Sequence, residues 1–122
     1  MRALVMALVL ALGSAAARAE LAEIRWDAQG QATQRFTVAP AQFAEYCGKL
    51  AKGQTVRWRF DGDGALNFNI HFHVGKAVEF PVKQDGVSQL AGELKVEQDQ
   101  DYCWMWSNKA ARPARLNVQL QR

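Results

Sequence analysis

Residues 66–74, LNFNIHFHV, constrain the fold of this chain more than any other stretch. Apolar Leu66, Phe68, Ile70, Phe72 and Val74 alternate there with Asn67, Asn69, His71 and His73. A period of two is the signature of a strand with one buried face, because successive side chains point to opposite sides. Bulky and β-branched residues on the apolar side suit a pleated surface packed on a core. The polar side carries both histidines of the chain, two residues apart and therefore neighbours on one face. The pattern predicts that both imidazoles project into water from the outside of a sheet.

Residues 1–19 read as a leader. Arg2 supplies a short positive region, residues 3–12 an apolar stretch of signal-peptide length, and Ala17-Arg18-Ala19 a small-x-small cleavage site. The apolar run is too short to cross a bilayer, and no later segment approaches the required length. Cleavage after Ala19 would leave one domain, residues 20–122, in the periplasm or secreted beyond it, with no transmembrane anchor. A retained N-terminal anchor is the alternative. Such a domain can bury roughly two-thirds of its unfolded surface.

The formal charge of +3 falls to +1 when Arg2 and Arg18 leave with the leader. A nucleic-acid binder needs Lys and Arg clustered on one face. Here Arg57 and Arg59 are a local pair, and Arg112, Arg115 and Arg122 are interleaved with apolar residues. Nucleic acid is therefore not an expected partner.

From Glu20 onward the chain reads as short strands separated by turn chemistry. Residues 24–26, 35–38 and 42–50 are candidates, the second stopped by Pro40, which cannot donate to a central ladder. Residues 55–60 place Val56, Trp58 and Phe60 on one side, and Asp61-Gly62-Asp63-Gly64 predicts a turn into the 66–74 strand. Gly75-Lys76 joins that strand to 77–82 as a hairpin. A loop is expected over 83–89, then strands over 93–96, 102–107 and 114–120. No helical period persists after the leader; residues 45–51 could make one turn at most. About eight short, evenly spaced strands predict an all-β fold, an antiparallel β-sandwich of Greek-key type.

Two cysteines, Cys47 and Cys103, lie in the exported part. In an oxidising compartment an even pair reads first as a disulfide, with free thiols or metal ligands as the alternative. An immunoglobulin arrangement requires a tyrosine two residues before the second cysteine. Tyr102 is immediately before Cys103, so the two point to opposite faces and the comparison fails on parity.

The ordered set EYCGKLAKGQTVRWRF, LNFNIHFHVGKAVEFP and DYCWMWSN, followed by a last alternating strand, resembles a GOLD domain. That is the lumenal β-sandwich of the Golgi cargo-receptor family. Cys47, Gly53, Tyr102, Cys103 and Asn108 occupy matching places. The family usually has its second cysteine three residues after the tyrosine, where this chain has Met105; the two positions share a face. The family's coiled coil, membrane span and tail have no counterpart here. The resemblance implies a stand-alone binding module and nothing of the receptor's other functions.

His71 and His73 at i and i+2 on a strand can reach one metal ion, and neutral imidazole suits copper and zinc. If the 102–107 strand is their neighbour and buries Tyr102, Trp104 and Trp106, then Cys103 and Met105 emerge beside them. Met105 would add a soft thioether, a donor set that favours copper. The other parity would instead expose Trp104 and Trp106 as an aromatic interaction patch. Asn67 and Asn69 extend the polar face in either case. A cupredoxin site is excluded because no histidine follows Cys103, and finger-type zinc spacing is missing.

Catalysis has little support. Ser88 and Ser107 sit in no elbow or lysine motif, and the pairs Asp61 with Asp63 and Asp99 with Asp101 read as turn formers. Cys47 with His71 would lose its nucleophile to a disulfide. The expectation is a non-catalytic, exported binding module that docks a protein or envelope component through a His-bearing sheet face. Its alternative is a periplasmic copper-binding protein using His71, His73 and Met105.

Overall fold

The computed structural model describes residues 19–122; the expected leader lies outside the described residues up to Arg18. The described residues form an all-β fold of seven strands: β1 (Glu20–Glu23), β2 (Gln31–Val38), β3 (Phe43–Leu50), β4 (Thr55–Val74), β5 (Ala77–Lys95), β6 (Gln100–Ser107) and β7 (Ala114–Gln121). Their order in the sheet is β1-β3-β6-β4-β7-β2, with β5 along the other side of β4. All pairs are antiparallel except β1 with β3, which makes the sheet mixed.

Strand β4 organises the molecule. Its first half, Arg57 to Gly62, pairs with β7, and its second half, Asn67 to His71, pairs with β6. A strand that bends and changes partner carries one sheet into two packed layers. One layer is β5-β4-β7-β2 and the other is β5-β4-β6-β3-β1.

The bend falls on Asp61-Gly62-Asp63-Gly64. The sequence predicts a turn there between two strands, whereas the structure runs through as a single strand. Between the pairs Asp61↔Gln89 and Leu66↔Val87, residues 62–65 of β4 face only Ser88 of β5. That excess forms a bulge, which sharpens twist and bends a strand without ending it. The Asp63 carboxylate accepts a hydrogen bond from the Arg115 backbone N–H at 2.7 Å and so pins the bend to β7.

The same logic removes the loop expected over 83–89. Gly86, at φ 69°, takes up the left-handed conformation of a bulge, and its N–H donates to Asn67 Oδ1 at 3.0 Å. Two short strands thus become the 19 residues of β5, and the strand total is seven rather than about eight.

The core is aromatic. Trp106 lies 5.5 Å from both Phe60 and Phe68 by ring centroid and 5.9 Å from Phe36, so one indole ties both layers together. Each such ring contributes on the order of 2–3 kcal/mol by burial and more through edge and offset contacts. Trp58 packs under Gly92 of β5: a Cβ there would come within 2.6 Å of the indole. Asn108, 1 % exposed, closes the end of the sandwich. Its Nδ2 donates to the carbonyls of Val38 and Arg112, at 2.9 and 2.7 Å, and its Oδ1 accepts from the Ala110 N–H at 2.9 Å.

Candidate functional site

The parity of β6 decides which side chains can meet a ligand. Tyr102, Trp104 and Trp106 are inward and buried, both tryptophans with no exposed surface. The alternative parity, with Trp104 and Trp106 as an exposed aromatic patch, does not occur, because those rings fill the space between the layers. Cys103 and Met105 take the opposite side. The ladder sets Cys103 beside His71 and Met105 beside Asn69 on β4. On the other side of β6, Cys103 faces Cys47 and Met105 faces Glu45 on β3. Glu45, Cys47, Cys103, Met105, Asn69 and His71 thus share one outer face.

Cys47 and Cys103 form a disulfide, with Cα atoms 4.1 Å apart. Directly across a strand pair, it clamps β3 to β6 at the rung where His71 completes the row.

His71 and His73 differ sharply. His73 is exposed, as the alternation predicts. His71 is only 6 % exposed although it faces away from the core. The cause is local to β5. The pairs Ile70↔Val82 and Phe72↔Glu79 leave both Phe80 and Pro81 opposite His71. A bulge is a place where proline's missing N–H costs no ladder bond, and it brings the Phe80 ring to 5.9 Å from the imidazole. His73 covers another side, edge-on at 5.3 Å. The His-bearing face is consequently half roofed rather than open.

Under that roof His71 is held by two partners. Its Nδ1 lies 2.7 Å from Asn69 Oδ1, and its Nε2 lies 3.6 Å from Glu45 Oε1. Where Asn69 Oδ1 accepts, Nδ1 carries the proton, whereas the Glu45 carboxylate, an acceptor only, favours a proton on Nε2. Desolvation lowers the His71 pKa from the ordinary histidine value; the Glu45 charge opposes this and His73 adds to it. A neutral imidazole with one fixed nitrogen and one free nitrogen is the form that binds metals.

Glu45 and Phe80 escaped the reading from sequence. Glu45 was within reach of it: a Cys47–Cys103 bridge fixes the β3–β6 register and puts Glu45 beside Met105. Nothing in local periodicity marks the Phe80-Pro81 bulge.

A second feature is the outer side of β5. Val78 and Phe80, on the face that carries His73, are 40 % and 46 % exposed, and Val74 of β4 is 43 % exposed on the opposite face. Among the described residues β5 pairs with β4 alone. Its two limbs flank an open depression of about 630 Å³, lined by Phe72, Glu79, Val82, Leu94, Glu97 and Tyr102 among others.

No protein-family model and no curated protein sequence matches this chain. Solved structures do. PliG of Aeromonas hydrophila, a periplasmic inhibitor of g-type lysozyme, superposes with a TM-score of 0.63 at 19 % identity, over 85 % of this chain and 98 % of that one. The likeness is one of fold. The pre-peptidase C-terminal domain of a Bacillus anthracis collagenase follows at 0.61 and 6 % identity, over 85 % and 95 % of the two chains. CorA of Methylomicrobium album BG8, a surface-associated copper-binding protein, gives 0.55 at 8 % identity over 84 % and 98 %. Together they support a β-sandwich, and none of them is a GOLD domain. No helix among the described residues is long and apolar enough to cross a membrane.

Proposed function

We propose that this chain is an exported, non-catalytic binding module that takes up an extended segment of a protein partner along β5. One observation carries the reading. Exposed Val78 and Phe80 share one face of β5, whose outer edge has no strand partner among the described residues. Unpaired backbone groups supply affinity to an added strand, and adjacent apolar side chains supply selectivity. The likeness to PliG, itself an inhibitor of a protein, supports a protein partner in the periplasm. The GOLD resemblance supports a binding module equally.

The test is a pair of charged substitutions on that edge, Val78→Lys with Phe80→Glu, in the exported protein. Co-purification of a defined partner with the parent and its loss with the variant, both folded, supports the reading. Equal recovery with both removes it.

A second reading, copper binding, is favoured by the convergence of Glu45 and His73 on a neutral His71, with Met105 on the next rung of the same face. Imidazole, thioether and carboxylate together suit copper better than calcium or magnesium, and CorA lends support as a copper-binding protein of like fold. Titration with Cu(I) and Cu(II), beside a His71→Ala/His73→Ala variant, tests it. Equal binding by parent and variant removes copper from the account.

A further inference from the structure

The disulfide is also a neighbour of ligands. The Glu45 carboxylate oxygen, the His71 ring nitrogen and Cys103 Sγ all lie within 4.8 Å of one another, and Cys47 Sγ is bonded to Cys103 Sγ. Four donors of three chemical kinds therefore meet at one rung. While the bridge is closed, two of them are tied up as a neutral disulfide and only the imidazole and carboxylate can coordinate.

We propose that reduction of Cys47–Cys103 turns this cluster into a metal site, in which both thiolates, His71 and Glu45 hold a thiophilic ion such as zinc(II). Two sulfurs, one nitrogen and one oxygen make a tetrahedral set of the kind zinc takes. Asn69, on His71 Nδ1, is the outer partner that fixes the ring and its tautomer. The site shares His71 with the copper reading and does not depend on it, since it uses neither His73 nor Met105.

The chemistry balances with a dithiol as reductant. One of its thiolates attacks a bridge sulfur, the Cys47–Cys103 bond breaks, and a mixed disulfide forms. The second thiol of the reductant resolves that intermediate. Two electrons and two protons pass to the protein, giving two cysteine thiols and an oxidised, cyclic reductant. Metal uptake then releases the thiol protons.

Two features let the donors stay in place after reduction. Cys47 and Cys103 belong to a ladder of eight register pairs that continues on both sides of them. The opposite faces of the same strands are anchored in the core by Tyr46, Trp104 and Trp106. Both cysteines are half-buried on the outer face, where a reductant and an ion can approach.

The test uses the mature chain in its oxidised form and after anaerobic reduction with a phosphine. Each is titrated with cobalt(II), then zinc(II), with near-ultraviolet circular dichroism reporting the tryptophan core. The expected result is one cobalt per reduced chain, a thiolate-to-cobalt charge-transfer band, displacement by zinc, and at least about tenfold weaker binding by the oxidised protein. His71→Ala and Glu45→Gln should each weaken the reduced site by about tenfold or more, and Arg35→Ala, at an exposed position of β2 away from the cluster, should leave it unchanged. Equal affinity in both redox states, no charge-transfer band, indifference to His71→Ala, or loss of the tryptophan signal on reduction each overturns the proposal. Copper binding by the oxidised protein is a separate result and bears only on the second reading.

Discussion

His71 stands directly beside Cys103 on the β4–β6 ladder, so the only buried histidine shares a rung with the disulfide. The pairing joins two features that are 32 positions apart in the chain.

Loss of the bridge should weaken the fold without abolishing it. The closed loop spans 56 positions, and the chain-entropy treatment assigns such a closure about 4 kcal/mol. Urea unfolding of Cys47→Ala/Cys103→Ala should show a loss approaching that figure. Mass measurement before and after reduction should differ by two hydrogens in the parent alone.

Stability should depend on pH through His71. Burial disfavours the imidazolium, so the folded state protonates at lower pH than the unfolded chain. The unfolded state therefore binds more protons once the pH drops below about 6.5, the ordinary histidine value. Stability contributed by neutral His71 is complete above that pH and is lost as pH falls toward the folded-state pKa. Denaturation midpoints measured between pH 7 and pH 5 should fall in the parent and fall less in His71→Gln.

Gly92→Ala should be costly for a residue on an exposed strand. The new methyl would enter the Trp58 ring at 2.6 Å, and overpacking of this kind costs about 1–3 kcal/mol. Thermal unfolding checks it, with Ala91→Ser, on the same strand and exposed, as the neutral comparison.

Asn108 should tolerate no replacement. Its amide donates to two carbonyls and its oxygen accepts one N–H. Asn108→Ala should cost about 1–3 kcal/mol through buried groups left unpaired. Asn108→Asp should cost more, because a carboxylate cannot donate to Val38 and Arg112. Equal stability of Asn108→Asp and the parent in urea unfolding would contradict this.

The all-β class and the alternations around Trp58, Phe68 and Trp106 were legible in the sequence, because each is a period-two pattern along one strand. So was the pairing of the cysteines. Strand extent was not: Asp61–Gly64 has turn composition, yet the backbone needs a bend there to pass from one layer to the other, and a bulge supplies it. His71 illustrates the other blind spot. Its outward parity is correct, but its burial comes from Phe80 and Pro81, whose position depends on a register shift between two strands. Parity is local, whereas cover is tertiary.

The central claim, that β5 is the docking edge, is tested most directly by a photo-crosslinking residue placed at Phe80. A second label at exposed Arg35 of β2, at the far end of the β5-β4-β7-β2 layer, serves as the control. The account predicts one discrete crosslinked product from position 80 and none from position 35. Identical crosslinking patterns from the two positions, or no product from position 80, would contradict it.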